Sequence, residues 1–367
     1  MSLTRRSLLA TLPAAVASTA GCSYLKDFTD GDPLSGSDRL KWRYPTGGRV
    51  ISAPTIADSG LYIASYNGDL LALDPSTGSL NWKFETGGKV TSNPTVADEM
   101  VYIGSYDRNL YAVDTDGQER WRYEADGRVL SHPTVVDRVV YFGDFTGFVY
   151  ALTADSGELL WRYKTGEGVT AGPVIQGGTV FIGSRDNSFY ALDTDSGSLN
   201  WKYDVLEEAT GFDPVSVSIN VTPVVHGNMV FFGSTNSYLY AVNQNDGSRG
   251  WVRETDQSVN SAPVVWNDIV YFASKIGTLY ALKSKTGEVH WTNSNLNPPV
   301  LCDSTVVDGT VYIGDRQGKL NAFNAETGRK LWTFDTDNAL MSKPLVTDDT
   351  IYFGSNDGHV YAVKREP

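Results

Sequence analysis

Cysteine is almost absent from this 367-residue chain, which has only Cys22 and Cys302 and no C-x-x-C spacing. That excludes a disulfide framework, a zinc ribbon and a dithiol redox centre. Histidine is nearly as scarce: His132, His226, His290 and His359 are scattered, with no H-E-x-x-H pair, and structural or surface roles are expected for all four. No G-x-S-x-G, P-loop or Rossmann fingerprint occurs, so the common hydrolase and nucleotide-binding signatures are missing. Positive charge is also short, with 30 Lys plus Arg against 43 Asp plus Glu and a net charge of −13. A nucleic-acid binder needs a basic surface, and that class is excluded. The acidic residues divide into 31 Asp and 12 Glu, spread without a tail. Such self-repulsion is a solubility device that halophiles use, and a salt-adapted protein is expected. Long apolar runs are missing too. Leu8 to Ala20 is 13 residues and contains Pro13, short of the roughly 20 that a spanning helix needs.

What that short run does offer is an address. It follows Thr4-Arg5-Arg6-Ser7-Leu8-Leu9 and ends at Thr19-Ala20-Gly21-Cys22. Paired arginines before a brief apolar stretch mark a twin-arginine export signal. The small residues before Cys22 resemble a lipobox, whose cysteine becomes a lipidated N-terminus. Residues 1–22 are therefore expected to be a lipoprotein signal, and 23–38, rich in Asp, Gly and Ser, a flexible tether. The mature protein is expected outside the cell membrane, held to it by lipid alone.

The rest of the chain is rich in aromatics and turns, with 9 Trp, 20 Tyr and 36 Gly. Eight of the tryptophans keep step: Trp42, Trp82, Trp121, Trp161, Trp201, Trp251, Trp291 and Trp332, at intervals of 40, 39, 40, 40, 50, 40 and 41. Only Trp266 stands outside. In each unit, runs such as Val101-Tyr102-Ile103-Gly104 and Leu110-Tyr111-Ala112-Val113 have strand length and composition, separated by Asp/Asn/Gly turns. Four short antiparallel strands in about 40 residues make one propeller blade. A blade cannot bury its own faces, so the recurring indole is read as the filler between neighbours.

The units number eight. Pro54, Pro94, Pro133, Pro173, Pro223, Pro263, Ser304 and Pro344 mark the inner strands, each eight residues before an aromatic. The last unit ends at Tyr361-Ala362-Val363 without a Trp strand, while Lys41-Trp42-Arg43-Tyr44 precedes any inner strand. The predicted fold is an all-β, eight-bladed propeller over 39–367, its N-terminal strand completing the last blade and removing open edges.

The stretch Ala72-x-Asp74-x-x-Thr77-Gly78-x-x-x-Trp82 resembles the tryptophan-docking motif of the quinoprotein-type (pyrroloquinoline-quinone-like) propeller repeat. It recurs at Ala281…Thr286-Gly287…Trp291 and Ala322…Thr327-Gly328…Trp332, with Ser156 and Ser196 in place of Thr. The resemblance covers residues 39–364. Quinoprotein alcohol dehydrogenases of that family are larger and carry a vicinal cysteine pair and an acidic calcium site; Cys302 has no cysteine beside it. The compact lipoprotein relatives, of the outer-membrane assembly type, share the size and the lipobox and serve as interaction platforms. The resemblance implies a non-catalytic binding or assembly scaffold without cofactor or metal, expected to be monomeric, whose partners are membrane or extracytoplasmic proteins or an extracellular ligand. The alternative it implies is a small quinone-dependent dehydrogenase or sensor.

Two features mark a candidate site on the face that carries the outer-to-inner strand connections. Arg49, Lys89 and Arg128 lie five residues before the inner-strand proline in the first three blades, where the next three have Gly168, Ser218 and Ser258. The same blades place Tyr66, Tyr106 and Phe145 in the turn between second and third strands. Three cations beside three aromatics make a candidate patch for a partner or ligand. The second feature is an insertion near 206–216 with Glu207, Glu208, Phe212 and Asp213, read either as a plain surface loop or as a further contact. Cys302 replaces the usual inner-strand serine and is read as a packed residue, and Asp114-x-Asp116-Gly117 as a hairpin turn. Salt adaptation predicts that the unfolding midpoint rises as salt is raised to molar levels; a flat midpoint across the series overturns it.

Overall fold

The computed structural model describes residues 38–58, 60–207 and 217–365. The chain divides into two units, Met1–Gly36 and Ser37–Pro367, and the fold described is that of the second. The signal segment with Cys22, nearly all of the expected tether, and Phe212 lie outside the described residues.

Eight four-stranded antiparallel sheets follow one another. The second blade shows why. Its strands are Thr95–Ala97, Met100–Gly104, Asn109–Asp114 and Glu119–Glu124, hydrogen-bonded in that order. The two middle strands are buried on both faces, so they read as continuous apolar runs instead of an alternation. The outer strand alternates, with Trp121 and Tyr123 turned inward and Arg120, Arg122 and Glu124 outward. The inner two strands are joined by Asp98-Glu99, both at positive φ (49° and 61°), the geometry that matches strand twist in a two-residue hairpin. Asp137-Arg138 and Asn267-Asp268 repeat it. Part of the aspartate excess therefore serves turn geometry as well as solubility.

Seven of the eight repeat tryptophans dock on the blade that follows. Trp82 Nε1 donates to the Thr115 carbonyl at 2.7 Å, Trp121 to Ala154 at 2.9 Å and Trp161 to Thr194 at 2.7 Å. The indole lies on the glycine of the next blade's third-to-fourth turn: a Cβ on Gly197 would sit 2.5 Å from Trp161 Cδ2, and Gly197 also has φ +68°. Only glycine meets both demands. On the other side the ring tilts against the aromatic of its own blade, as Tyr141 does with Trp161 at 5.9 Å between centroids. Asp74, which opens the first such turn, accepts from the Ser76 hydroxyl and from the amides of Thr77 and Ser76. These bonds hold its carboxyl down at about 2, so the Asp-x-x-Thr-Gly text is a hydrogen-bonded turn presenting its glycine to an indole.

The ring closes as the sequence predicts. Leu40–Pro45 is the outer strand of the eighth blade, pairing with His359–Lys364 through Trp42↔Ala362 and Pro45↔His359. Trp42 then docks forward on the first blade, donating to the Pro75 carbonyl at 3.0 Å. Trp332 meets no such turn, because the third and fourth strands of the eighth blade, His359–Lys364 and Leu40–Pro45, are not consecutive in the chain. Instead the Arg39 guanidinium covers its ring at 4.1 Å and donates to the Lys364 and Arg365 carbonyls.

Inner strands of adjacent blades are joined by side chains. Ser92 donates to the Ser131 carbonyl at 3.1 Å, Ser342 to Ser52 at 2.8 Å and Cys302 to Ser342 at 3.1 Å. Cys302 thus occupies a serine position in this ring of small donors, fully buried, and burial pushes its thiol up to about 12. Deleting residues 39–45 should lower the thermal midpoint by more than about 10 °C, since it removes a strand, an indole and the ring closure; an unchanged melt refutes that role. In a Cys22→Ser variant at about pH 8, Cys302 should stay inert to Ellman's reagent until guanidinium unfolds the chain, because almost none of it is thiolate. Reaction in the folded protein overturns the packed reading.

Candidate functional site

In an antiparallel meander, the connection from an outer strand to the next inner strand shares one end of the ring with the turn between second and third strands. This end is the mouth face. One backbone bond fixes the two segments to each other in every blade: Tyr66 N donates to the Arg49 carbonyl at 2.8 Å, Tyr106 to Lys89 at 2.9 Å and Phe145 to Arg128 at 2.9 Å. The residue five before the inner-strand proline and the first turn residue are therefore neighbours at the rim of the central channel.

At the first four blades these neighbours form a continuous arc. The Arg49 guanidinium lies over the Tyr66 ring at 4.7 Å, and Lys89 Nζ covers the same ring at 4.7 Å, 3.4 Å from its hydroxyl. Tyr66 meets Tyr106 edge-on, with centroids 6.5 Å apart. Arg128 lies over Tyr106 at 5.4 Å, and Arg185 of the fourth blade over Phe145 at 5.0 Å. Arg49, Lys89, Arg128, Arg185 and Phe145 are exposed, and Tyr66 and Tyr106 half-buried. Cations over aromatic faces contribute about 0.5–1 kcal/mol each at exposed sites, which aligns the side chains without neutralising them.

None of the four cations makes an ion pair among the described residues, although the chain carries excess acid. Apart from Glu167, which is exposed beside Gly168, the carboxylates of these turns and connections are engaged elsewhere. Asp107, in the same turn as Tyr106, accepts from Tyr111 Oη at 2.7 Å, Gly87 N at 2.7 Å and Asn109 N at 2.9 Å. Burial opposes its ionisation, but those bonds outweigh the penalty and hold its carboxyl below the ordinary value. Asp144 binds Gly127 N and Tyr150 Oη, and Asp186 binds Gly166 N and Tyr190 Oη. Further out, Glu85 pairs with Lys83, Glu124 with Arg108 and Asp126 with Arg162. The inner rim is left positive.

Deeper in the channel, three of the residues that precede the inner-strand proline or serine, Asn93, His132 and Asp303, reach sideways to another blade. Asn93 Oδ1 accepts from Ala53 N at 2.7 Å, and Asp303 Oδ1 from Ala262 N at 2.6 Å. His132 passes Gly172, where a Cβ would sit 2.0 Å from its Nε2, to meet the Thr222 hydroxyl at 3.0 Å. Burial pushes its imidazole down to about 4, against the pull of Asp303. Among the described residues no group of three or more His, Cys, Asp or Glu side chains converges as a metal site.

The sequence-predicted residues Arg49, Lys89, Arg128, Tyr66, Tyr106 and Phe145 are thus brought together. Phe212 and most of the insertion lie outside the described residues; the insertion's start, Val205 and Leu206, packs into the core of the fourth and fifth blades. Arg185 is not among the expected site residues, and in the structure it supplies the fourth cation. The signal was available: Arg185 holds the turn position of Tyr66, Tyr106 and Phe145, one blade on. The other histidines are surface groups, with His226 against Asp268, His290 on the Glu326 carbonyl and His359 beside Asp357.

With this geometry in hand, the similarities to known proteins can be placed. A solved structure, BamB from Moraxella catarrhalis, superposes with a TM-score of 0.78 at 24% identity, covering 89% of this chain and 99% of that one. The quinohemoprotein alcohol dehydrogenase from Comamonas testosteroni superposes at 0.73 with 16% identity, over 89% of this chain and 76% of that enzyme. At these identities both show the propeller alone. A curated relative, the outer membrane protein assembly factor BamB of Salmonella typhimurium, is 30% identical over 76 residues. That match spans 20% of this chain and about a fifth (19%) of the relative. The family model described as outer membrane protein assembly factor BamB matches residues 26–126, 67–293 and 294–366. The chain belongs to that family.

Proposed function

We propose that this protein is a non-catalytic scaffold working outside the cytoplasm, held to the membrane by a lipid on Cys22, that captures protein partners on the mouth face of its propeller. The observation that carries this reading is the arc of four unneutralised cations interleaved with three aromatics on the channel rim. Aromatic and arginine side chains are the types that concentrate binding energy in interfaces. Assembly factors of the family bear the matching role in their name, and the export signal and lipobox of residues 1–22 support the location.

The alternative, a quinone-dependent dehydrogenase or sensor, draws on the shared fold, and fold does not fix chemistry. The channel residues do not fit that group. Asp303 and Asn93 are bound to backbone amides, His132 is tied to Thr222 across the bore, and Cys302 is a single buried thiol. We therefore assign neither quinone nor calcium.

Affinity capture from detergent-solubilised membranes tests the scaffold. Replacing Arg49, Lys89 and Arg128 with Ser should cut partner recovery about tenfold or more while leaving the thermal melt within a few degrees of the parent. Undiminished recovery would dispose of the mouth face as the docking surface.

A further inference from the structure

Two observations narrow what the mouth face takes, given the docking reading proposed above. The first is spacing. Tyr66 and Tyr106, at equivalent places in successive blades, have centroids 6.5 Å apart. In an extended strand, alternate side chains lie on one side and recur every 6.6–6.8 Å or so. The step from Tyr66 to Tyr106 therefore matches two residues of extended polypeptide. The second is direction. The strand Leu40–Pro45 starts level with Val363 and reaches His359, so the chain enters the propeller at the face opposite the mouth. That far face carries Asp58, Asp98, Glu99, Asp137 and Asp308 in its turns. The chain therefore meets the propeller on an acidic face, and the unpaired cations stand at the opposite one. The half-buried Tyr66 and Tyr106 also lie under their cations and do not project as wedges.

We propose that the arc from Arg49 to Arg185 binds an extended acidic segment of a partner protein, laid along the channel rim with Asp or Glu at alternate positions. Each carboxylate meets one blade's cation, and the intervening backbone runs along the row of cations that cover Tyr66, Tyr106 and Phe145. Arg185 is a binding residue equal in rank to the other three. Anionic lipid headgroups, the other chemistry that unpaired cations attract, are disfavoured because Tyr66 and Tyr106 lie under their cations and offer no wedge to a bilayer.

The test uses the full chain and two synthetic nonapeptides of identical composition, each labelled with fluorescein. One alternates glycine and glutamate, (Gly-Glu)4-Gly; the other holds its four glutamates in one block. Anisotropy titrations at 50 mM salt should show the alternating peptide binding at least threefold tighter than the block peptide. Arg49→Ser, Lys89→Ser, Arg128→Ser and Arg185→Ser combined should weaken it about tenfold, the summed scale of four exposed pairs. Arg185→Ser alone should weaken it measurably while the melt stays unchanged. Equal affinity for the two peptides, no binding of either, or binding of phosphatidylglycerol vesicles in place of peptide would each overturn the inference. If the peptides fail while the triple Ser variant still loses its membrane partner in the capture assay, the docking surface stands and only the acidic-strand assignment falls.

Discussion

The whole ring depends on one contact: an indole laid flat on a glycine of the next blade. Gly78, Gly117, Gly157, Gly197, Gly247, Gly287 and Gly328 each have positive φ and each would drive a Cβ into a tryptophan ring at 2.5–2.8 Å. The tryptophan satisfies its Nε1 on the same turn, so one residue supplies both the area and the direction of the blade-to-blade joint. The turn is held ready by an Asp or Asn side chain capping its amides, as Asp74, Asp193 and Asn324 do. Strand pairing builds a blade, but this wedge sets the angle between blades. Arg39 over Trp332 marks the joint where the strands that would flank the turn are not consecutive in the chain, and a guanidinium takes the glycine's place.

A frame fixed by repeated joints frees its rim to vary. The backbone bond between the connection and the second-to-third turn is kept at all eight blades whatever the side chains, from Tyr66–Arg49 to Asn356–Ala339. Identity at these two positions therefore costs little in folding and is available for recognition. The inward-turned acids play a part in this. By spending their oxygens on glycine amides and tyrosine hydroxyls, Asp107, Asp144 and Asp186 stitch neighbouring blades and also stop the acidic composition from cancelling the arc.

The fold was legible because the repeat is written in residues with few substitutes: indole, turn glycine and a strand-opening proline recur at fixed steps, and the surplus strand at one end matches the deficit at the other. The arc was legible only in part. Arg49, Lys89 and Arg128 stand out in sequence because their places hold small residues elsewhere, but which ring each one covers depends on cross-blade geometry. Lys89 covers Tyr66 of the preceding blade as well as sitting beside its own Tyr106. Arg185 reads as a break in the aromatic series until the ring brings it over Phe145. His132 could not be placed at all, since its partner Thr222 lies 90 residues on and two blades away.

Salt adaptation, the expectation raised by the acidic composition, would oppose the electrostatic docking proposed for the arc, and the composition of the arc bears on that conflict. At molar salt the screening length falls to about 3 Å, so bare cations at the rim would lose long-range attraction. Direct van der Waals contact does not depend on that length, so the packing of a guanidinium on a ring is weakened less than attraction at a distance. In the proposed docking, interleaving Tyr66, Tyr106 and Phe145 with the four cations would keep affinity in direct contact and leave the charges to decide which segment is accepted. A purely basic rim of equal charge would do neither in concentrated salt, and a purely aromatic one would not discriminate among extended chains.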